Sequence, residues 1–306
     1  MRRAFFLNRS MYYKNETVVY HNKKWELAKD ASASLYNQTM HYGNGVFEGI
    51  RAYKTEDGVK IFKAKEHFQR LLLSAKKMHI HVDYTVDELI ILANQLLEKN
   101  NLQDAYLRPL FYLGDNMTLE PVKEVGFFMC AWEWGNYLGT KLLRTTVSPY
   151  TRPHPRSCHI DAKTVGHYTN SILASTEAKQ RGFDEALLLD VNGYLAEAPG
   201  ANLFFEKDGV LYTPALGHIL PGITRQTILE LAKELELHVV QKHFKVIDLK
   251  AADSAFFVGT AAEVVGLKSL DEYEFPMAWE NSLGYDLLHM YKQRVSKREY
   301  KHFELV

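Results

Sequence analysis

Two residues carry the reactive potential of this chain: Lys163, in DAKTVGHYTN, and Glu197, in YLAEAPG. A lysine amine can condense with a carbonyl or take a proton from carbon once its surroundings favour the neutral form. A glutamate on an otherwise apolar strand needs a cation beside it, because an ionised carboxylate is costly to bury alone. That cation is either an arginine or the protonated nitrogen of a bound ring. The local pattern indicates how both residues are presented. After Lys163, Ile172, Leu173 and Ala178 sit in a run of good helix formers that stops at Gly182, so a helix follows the lysine. ALLLDV, Asn192-Gly193 and YLAEA then read as a hairpin, since both turn residues tolerate positive φ. With a two-residue loop, Val191 faces Tyr194 and Leu188 faces Glu197.

Two later stretches resemble anion sites. In LPGITRQTILELAKEL a Pro-Gly turn releases the chain into a helix, leaving the amides near Ile223 and Thr224 without carbonyl partners. In SAFFVGTAAEVV a strand runs through Gly259 into Thr260, which the spacing reads as a helix start capped reciprocally with Glu263. Most such caps only stabilise helices. Downstream of a reactive lysine they acquire another use, because pyridoxal phosphate needs a Schiff-base lysine, an acid at its ring nitrogen and a phosphate cradle that includes an arginine.

Composition sets the outer bounds. With 306 residues, 46% apolar and 24% charged, the chain can build a large core shared among one to three domains. Lys+Arg and Asp+Glu both number 37, so no net field draws it to nucleic acid or an anionic membrane. Small molecules or another copy of itself are the expected partners. The short apolar run before Asn8 is no signal-peptide core, and the two cysteines, Cys130 and Cys158, form no CxxC, so a reducing cytoplasm is expected. Cys158-His159 is not a nucleophilic dyad, since neighbours in a proline-rich loop do not face each other, and no metal site is expected.

The supporting elements follow in chain order. Short β-rich runs reach Tyr36. A strand pair follows around the Glu56-Asp57-Gly58 turn. A helix then buries Phe68, Leu71, Leu72 and Ala75, with Arg70 at the margin of the stripe. A second helix opens with Thr85 and Glu88 in capping-box spacing, and AYLRPLFYLG and VGFFMCAWEW read as strands. The period fades through WGNYLG, and Pro153 and Pro155 bar regular structure in TRPHPRSC. The expected division is therefore a small N-terminal domain, residues 1–133, a connecting loop, 134–143, and a larger C-terminal domain, 144–306. In the latter, helices are expected from about Thr224 and around Leu283 to Val295, with SAFFVG as a strand.

HYGNGVFEGIRAY (His41 to Tyr53), EHFQRL, YLRPL, WGNYLG, the lysine stretch, LPGITR and VGTAAE together resemble the branched-chain amino acid aminotransferases, class IV pyridoxal-phosphate enzymes, in order and spacing. The resemblance implies the α+β, two-domain fold type IV of D-amino acid aminotransferase, with a small α/β domain and a larger domain built on a barrel-like sheet. It implies that Lys163 carries the cofactor and shuttles a proton between carbons, that Glu197 pairs with the ring nitrogen and that Tyr168 meets the ring oxygen. Arg70, Ile223, Thr224 and Thr260 would hold the phosphate. Tyr42, Phe47, Trp134, Tyr137 and Tyr168 would wall an aliphatic pocket, Arg108 would meet the side-chain carboxylate of glutamate, and Tyr106, Thr260 and Ala261 would receive the α-carboxylate. The implied reaction is transamination between L-leucine, L-isoleucine or L-valine and 2-oxoglutarate, in a homodimer whose sites are completed across the interface.

The resemblance has departures. The family usually shows two glycines and often an asparagine shortly after the lysine, whereas Val165 and His167 stand in KTVGHY; Pro199 replaces a small residue, and the segment 114–126 is short and lacks a glycine-rich loop. A D-amino acid or (R)-amine transaminase is the alternative within the fold, followed by aminodeoxychorismate lyase. A non-catalytic pyridoxal phosphate carrier is the alternative outside it.

Overall fold

Alternation along the strand Ala105–Leu113 sorts the first half of the molecule into a core face and a site face. The computed structural model describes residues 12–120, 122–134 and 141–296. Its first half contains β1 (Val18–His21), β2 (Lys24–Leu27), α1 (Gln38–Tyr42), β3 (Gly45–Phe47), β4 (Ile50–Thr55), β5 (Gly58–Ile61), α2 (Ala64–Lys77), α3 (Val86–Lys99), β6 (Ala105–Leu113) and β7 (Val125–Trp132). These strands form one antiparallel sheet in the order β2-β1-β7-β6-β4-β5, with β3 also on β6. Ala105, Leu107, Phe111 and Leu113 of β6, and Phe127, Met129 and Ala131 of β7, face a core covered by Phe68, Leu71 and Ala75 of α2 and Leu89, Ala93 and Leu96 of α3. The period of two turns Tyr106, Arg108 and Trp132 to the other face. The expected cap on α3 is present: the Thr85 hydroxyl accepts from Glu88 N at 3.2 Å while the Glu88 carboxylate accepts from Thr85 N at 2.7 Å.

The second half contains β8 (Leu143–Thr151), α4 (Tyr168–Gln180), β9 (Glu185–Leu189), β10 (Asn202–Lys207), β11 (Val210–Pro214), α5 (Ile223–Glu234), β12 (Val239–Lys242), α6 (Val246–Leu249), β13 (Ser254–Gly259), β14 (Glu263–Leu270), β15 (Tyr273–Glu274) and α7 (Leu283–Ser296). Their sheet runs β12-β11-β10-β13-β14-β8-β9. Isolated bridges from Leu189 to Leu195 and from Glu197 to Asn202 carry the pairing from β9 back to β10, so the sheet curls round on itself. β8, β9 and β14 pair in parallel, and α4 lies over β8 and β9 with Ala174 and Ala178 against Ala186 and Leu188.

Two local readings are corrected, and one element is added. No helix starts at Thr260. Thr260–Ala262 form a turn, and β14 begins at Glu263, paired with Gly259. The valines that follow Glu263 are buried between neighbouring strands, and sheet pairing outweighs the local capping pattern. The turn at Asn192-Gly193 is longer than two residues. Leu189 pairs with Leu195, so Asp190 rather than Val191 lies opposite Tyr194. The Asp190 carboxylate accepts from the amides of Asn192 at 2.8 Å and Tyr194 at 2.9 Å, closing a loop that two residues would have closed unaided. Leu188 does meet Glu197, through a bulge in which its amide donates to Glu197 O while its carbonyl accepts from Ala196 N. Finally, α1 carries no strong periodic signal. It forms because the Asn37 side chain accepts from Met40 N at 2.7 Å and Gly43 ends the turn at φ 70°.

Candidate active site

Lys163 sits where the two sheets meet. Its carbonyl accepts from Phe47 N at 3.1 Å, its amide donates to the Ser74 hydroxyl at 3.0 Å, and Thr164 bridges to Val46 of β3. The main chain of the lysine is thus held by a strand and a helix of the first half. Its Nζ donates to the Tyr168 hydroxyl at 2.7 Å and lies over the Phe47 and Tyr168 rings, 5.1 and 5.3 Å from their centroids. Tyr168 opens α4, so the helix that follows the lysine fixes this partner.

Glu197 is buried, 4% exposed, and its cation within the described residues is Arg152. Arg152 Nη2 stands 2.9 Å from Oε1, Asn202 Nδ2 donates to Oε2 at 3.0 Å, and Leu220 N donates to both oxygens at 3.2 and 3.3 Å. Burial outweighs the lowering by the Arg152 charge, the Leu220 amide and the Lys163 charge, and leaves the carboxyl above the ordinary glutamate range. Arg152 is in turn anchored through Nη1 on Asn170 Oδ1 and Ser171 Oγ of α4, both at 3.2 Å. Arg152 is thus one cation for Glu197, and the carboxylate also lines the cleft.

One cleft is lined by Arg70, Lys163, Tyr168, Glu197, Ile223, Thr224 and Thr260, with Leu220, Gly222 and Gly259 between them. Every residue expected to touch the cofactor therefore lies on one surface. Arg70 lies at the margin of the buried stripe of α2, as expected, but its side chain is tied down rather than loose on the surface. Its Nε and Nη2 donate to Glu48 at 2.6 and 2.9 Å, and its Nη1 donates to Pro221 O at 3.0 Å. Of the five guanidinium N–H groups, three are committed, leaving one on each Nη for an anion. Glu48 is wholly buried, and His67 Nδ1 lies 2.8 Å from its Oε2. Burial alone would raise this carboxyl; Arg70 and then His67 overcome that and hold it far below the ordinary glutamate range. Burial keeps His67 neutral by lowering its own value, so the ring donates Nδ1–H to the carboxylate.

The donor set fits a phosphorylated pyridine. No side chain caps α5 at Gly222 and its first turn holds no acid, so the amides at Ile223 and Thr224 offer an anion site beside Arg70. Gly222 also permits a close approach: a Cβ there would meet Asn202 Oδ1 at 2.0 Å. An amine with a hydroxyl partner, a buried carboxylate and an anion cradle occupy three sides of one cleft. Among the described residues no cluster of histidine, cysteine or acid could hold a metal ion.

Beyond the amine lies an aromatic wall. Phe47 meets Tyr168 edge to face at 4.8 Å, and the Arg108 guanidinium lies 4.7 Å over Phe47 and 5.5 Å from Tyr106. Tyr106 meets Trp134 at 4.7 Å. Trp132, which the sequence pattern did not single out, joins the wall 5.2 Å from Tyr106 because it shares the outward face of β7. Ala261 lies on the turn beside Thr260. Tyr42 stands apart: it is 47% exposed and its hydroxyl donates to Met117 O at 3.0 Å. Tyr137 lies outside the described residues.

Comparison with known proteins agrees with this architecture. Residues 45–270 match the family Amino-transferase class IV, and the chain belongs to it. Several of its relatives in that family are of one kind. A branched-chain-amino-acid aminotransferase of Pseudomonas aeruginosa is 41% identical over 83% of this chain and 85% of that protein. The crystal structure of the Escherichia coli branched-chain amino acid aminotransferase superposes with a TM-score of 0.89 at 34% identity, covering 94% of this chain and 98% of that one. The branched-chain amino acid aminotransferase from Thermobaculum terrenum, solved in its PLP-form, gives 0.88 at 30% identity, covering 94% and 96%.

Proposed function

We propose that this protein is a pyridoxal-phosphate-dependent aminotransferase exchanging the amino group between L-leucine, L-isoleucine or L-valine and 2-oxoglutarate. The observation that carries the reading is the single cleft holding Lys163, Tyr168, Glu197 and Arg70 beside an aromatic wall that contains one cation, Arg108, among its described members. When bound, the cofactor supplies an electrophilic carbon for amine exchange and a conjugated sink for the electron pair left at the substrate Cα. Lys163 would hold it through Nζ, and the same amine would serve as the base that takes up the substrate's Cα proton. Tyr168 orients that amine. Glu197, paired with Arg152, would lie at the ring nitrogen and favour its protonated form. Arg70 and the Ile223, Thr224 and Thr260 turns hold the phosphate, while Tyr106 with Thr260 and Ala261 receives the α-carboxylate.

A donor screen with 2-oxoglutarate, covering L-leucine, D-alanine and (R)-1-phenylethylamine, tests the reading. Turnover with L-leucine alone is expected; turnover with D-alanine or the (R)-amine in its place overturns it. Phe47, Trp134 and the expected Tyr137 suit an aliphatic chain, and Arg108 suits glutamate. Arg108→Leu is therefore expected to lower kcat/KM for L-glutamate by about a hundredfold and for L-leucine by less than about fivefold. Equal losses remove Arg108 from that role.

We further propose the division 1–133, 134–143 and 144–306, which the separation of the strands into two sheets supports. The exposed Leu35, Tyr36, Met40 and Tyr42 favour a homodimer over an isolated chain. The free thiols Cys130 and Cys158 favour the cytoplasm. Among the described residues, no helix is long and apolar enough to cross a membrane.

A further inference from the structure

The residue that follows the turn Thr260–Ala262, Glu263, takes a left-handed backbone at φ 57°, a conformation that favours glycine. A long side chain is seldom found there, and this one is buried, 3% exposed, in a polar cluster. Tyr53 OH donates to Glu263 Oε1 at 2.8 Å, Arg51 Nη1 lies 3.9 Å from the same oxygen, and Lys292 Nζ of α7 contacts Oε2. Arg51 Nη2 also donates to Ala261 O at 3.3 Å, inside the turn itself. The cluster extends further, because the Tyr291 hydroxyl faces those of Tyr53 and of Thr224 at the start of α5.

We propose that Glu263, tied by Arg51, Tyr53 and Lys292, is a positioning residue that holds the Thr260–Ala262 turn, and with it the phosphate cradle, in the shape that binds the cofactor. The inference rests on the proposed pyridoxal phosphate reading. Thr260 and Ala261 have no helix behind them, so their placement depends on what fixes the two ends of the turn. Sheet pairing of Gly259 with Glu263 closes the turn at its base, and the side-chain contacts of Glu263 to β4 and α7 tie that base to the surrounding elements. A buried carboxylate close to a phosphate site opposes anion binding through charge alone. Its value to the site is therefore geometric, and that fixes the sign of the test.

The test is equilibrium titration of the cofactor-free full chain with pyridoxal 5'-phosphate and, separately, with pyridoxal, which forms the same covalent link without a phosphate. Glu263→Gln keeps the shape and the Tyr53 contact but removes the charge that holds Arg51 and Lys292. It is expected to weaken pyridoxal 5'-phosphate by about tenfold, the cost of one broken buried contact, and to change pyridoxal by less than about twofold. Glu263→Gly, which suits the backbone conformation but has no ties, is expected to be weakened at least as much. Lys292→Met, at a half-buried position, is expected to move in the same direction and keeps the test valid if the Glu263 variants do not fold. Tighter binding by Glu263→Gln, wild-type binding by Glu263→Gly, or equal losses for both probes overturns the proposal. A wild-type chain that binds neither probe overturns the cofactor reading instead.

Discussion

Lys163→Ala is expected to reduce transamination between L-leucine and 2-oxoglutarate by at least about a thousandfold, within the range for loss of a positioned general base that is also the covalent anchor. The position of the amine supports so large an effect. Its Nζ is fixed by a hydrogen bond to Tyr168, lies over two aromatic rings, and is carried on a main chain bonded to both Phe47 and Ser74. Among the described residues no other lysine lines the cleft. The check is steady-state turnover together with borohydride reduction and peptide mapping: the wild-type chain should retain the cofactor on the peptide containing position 163, and the variant should retain none. Residual activity within about tenfold of wild type would remove Lys163 from the reaction.

The second large effect concerns stability. Glu48→Ala leaves the Arg70 guanidinium inside the protein without its bidentate partner and His67 without an acceptor. Breaking a buried ion pair from one side costs about 3–5 kcal/mol. Urea unfolding at pH 7 should show that loss, and a difference below about 1 kcal/mol would mean that water or Pro221 takes over Arg70. The pH dependence follows from the directions. Glu48 titrates lower in the folded chain than in the unfolded one, so its contribution is complete above about pH 4.3 and is lost as pH falls through the folded value. His67 is also lowered, by burial, so protonating the unfolded chain begins to erode stability below about pH 6.5. The gap between wild type and Glu48→Ala should therefore narrow toward acid pH.

Much of this could be read from the residues themselves. The helix after Lys163, the capping box at Thr85, the strands AYLRPLFYLG and SAFFVG and the helix from Ile223 all follow from short-range periodicity, which one segment reports about itself. The supports of the site were not legible in that way. Arg152, Glu48 and His67 look like ordinary polar residues in a proline-rich loop, a strand exit and a helix, and their partners lie far away in sequence. One clue was available: Glu197 demanded a cation, and Arg152 stands at the end of the strand next to β9. Thr260 and Glu263 misled because capping-box spacing and a three-residue hairpin share the same letters; only the buried valines that follow decide between them. Tyr42 shows the limit from the other side, since matching a family's motif did not bring its ring into the cleft of its own chain.

The clasp on the main chain of Lys163 has a consequence for heat. The nucleophile belongs to the barrel-like half, but its aim is set by a β3 amide and an α2 hydroxyl from the other half, so the chemistry senses the fit between the halves as well as the integrity of each. Warming that loosens this seam would silence the enzyme while circular dichroism still registered intact helices and strands.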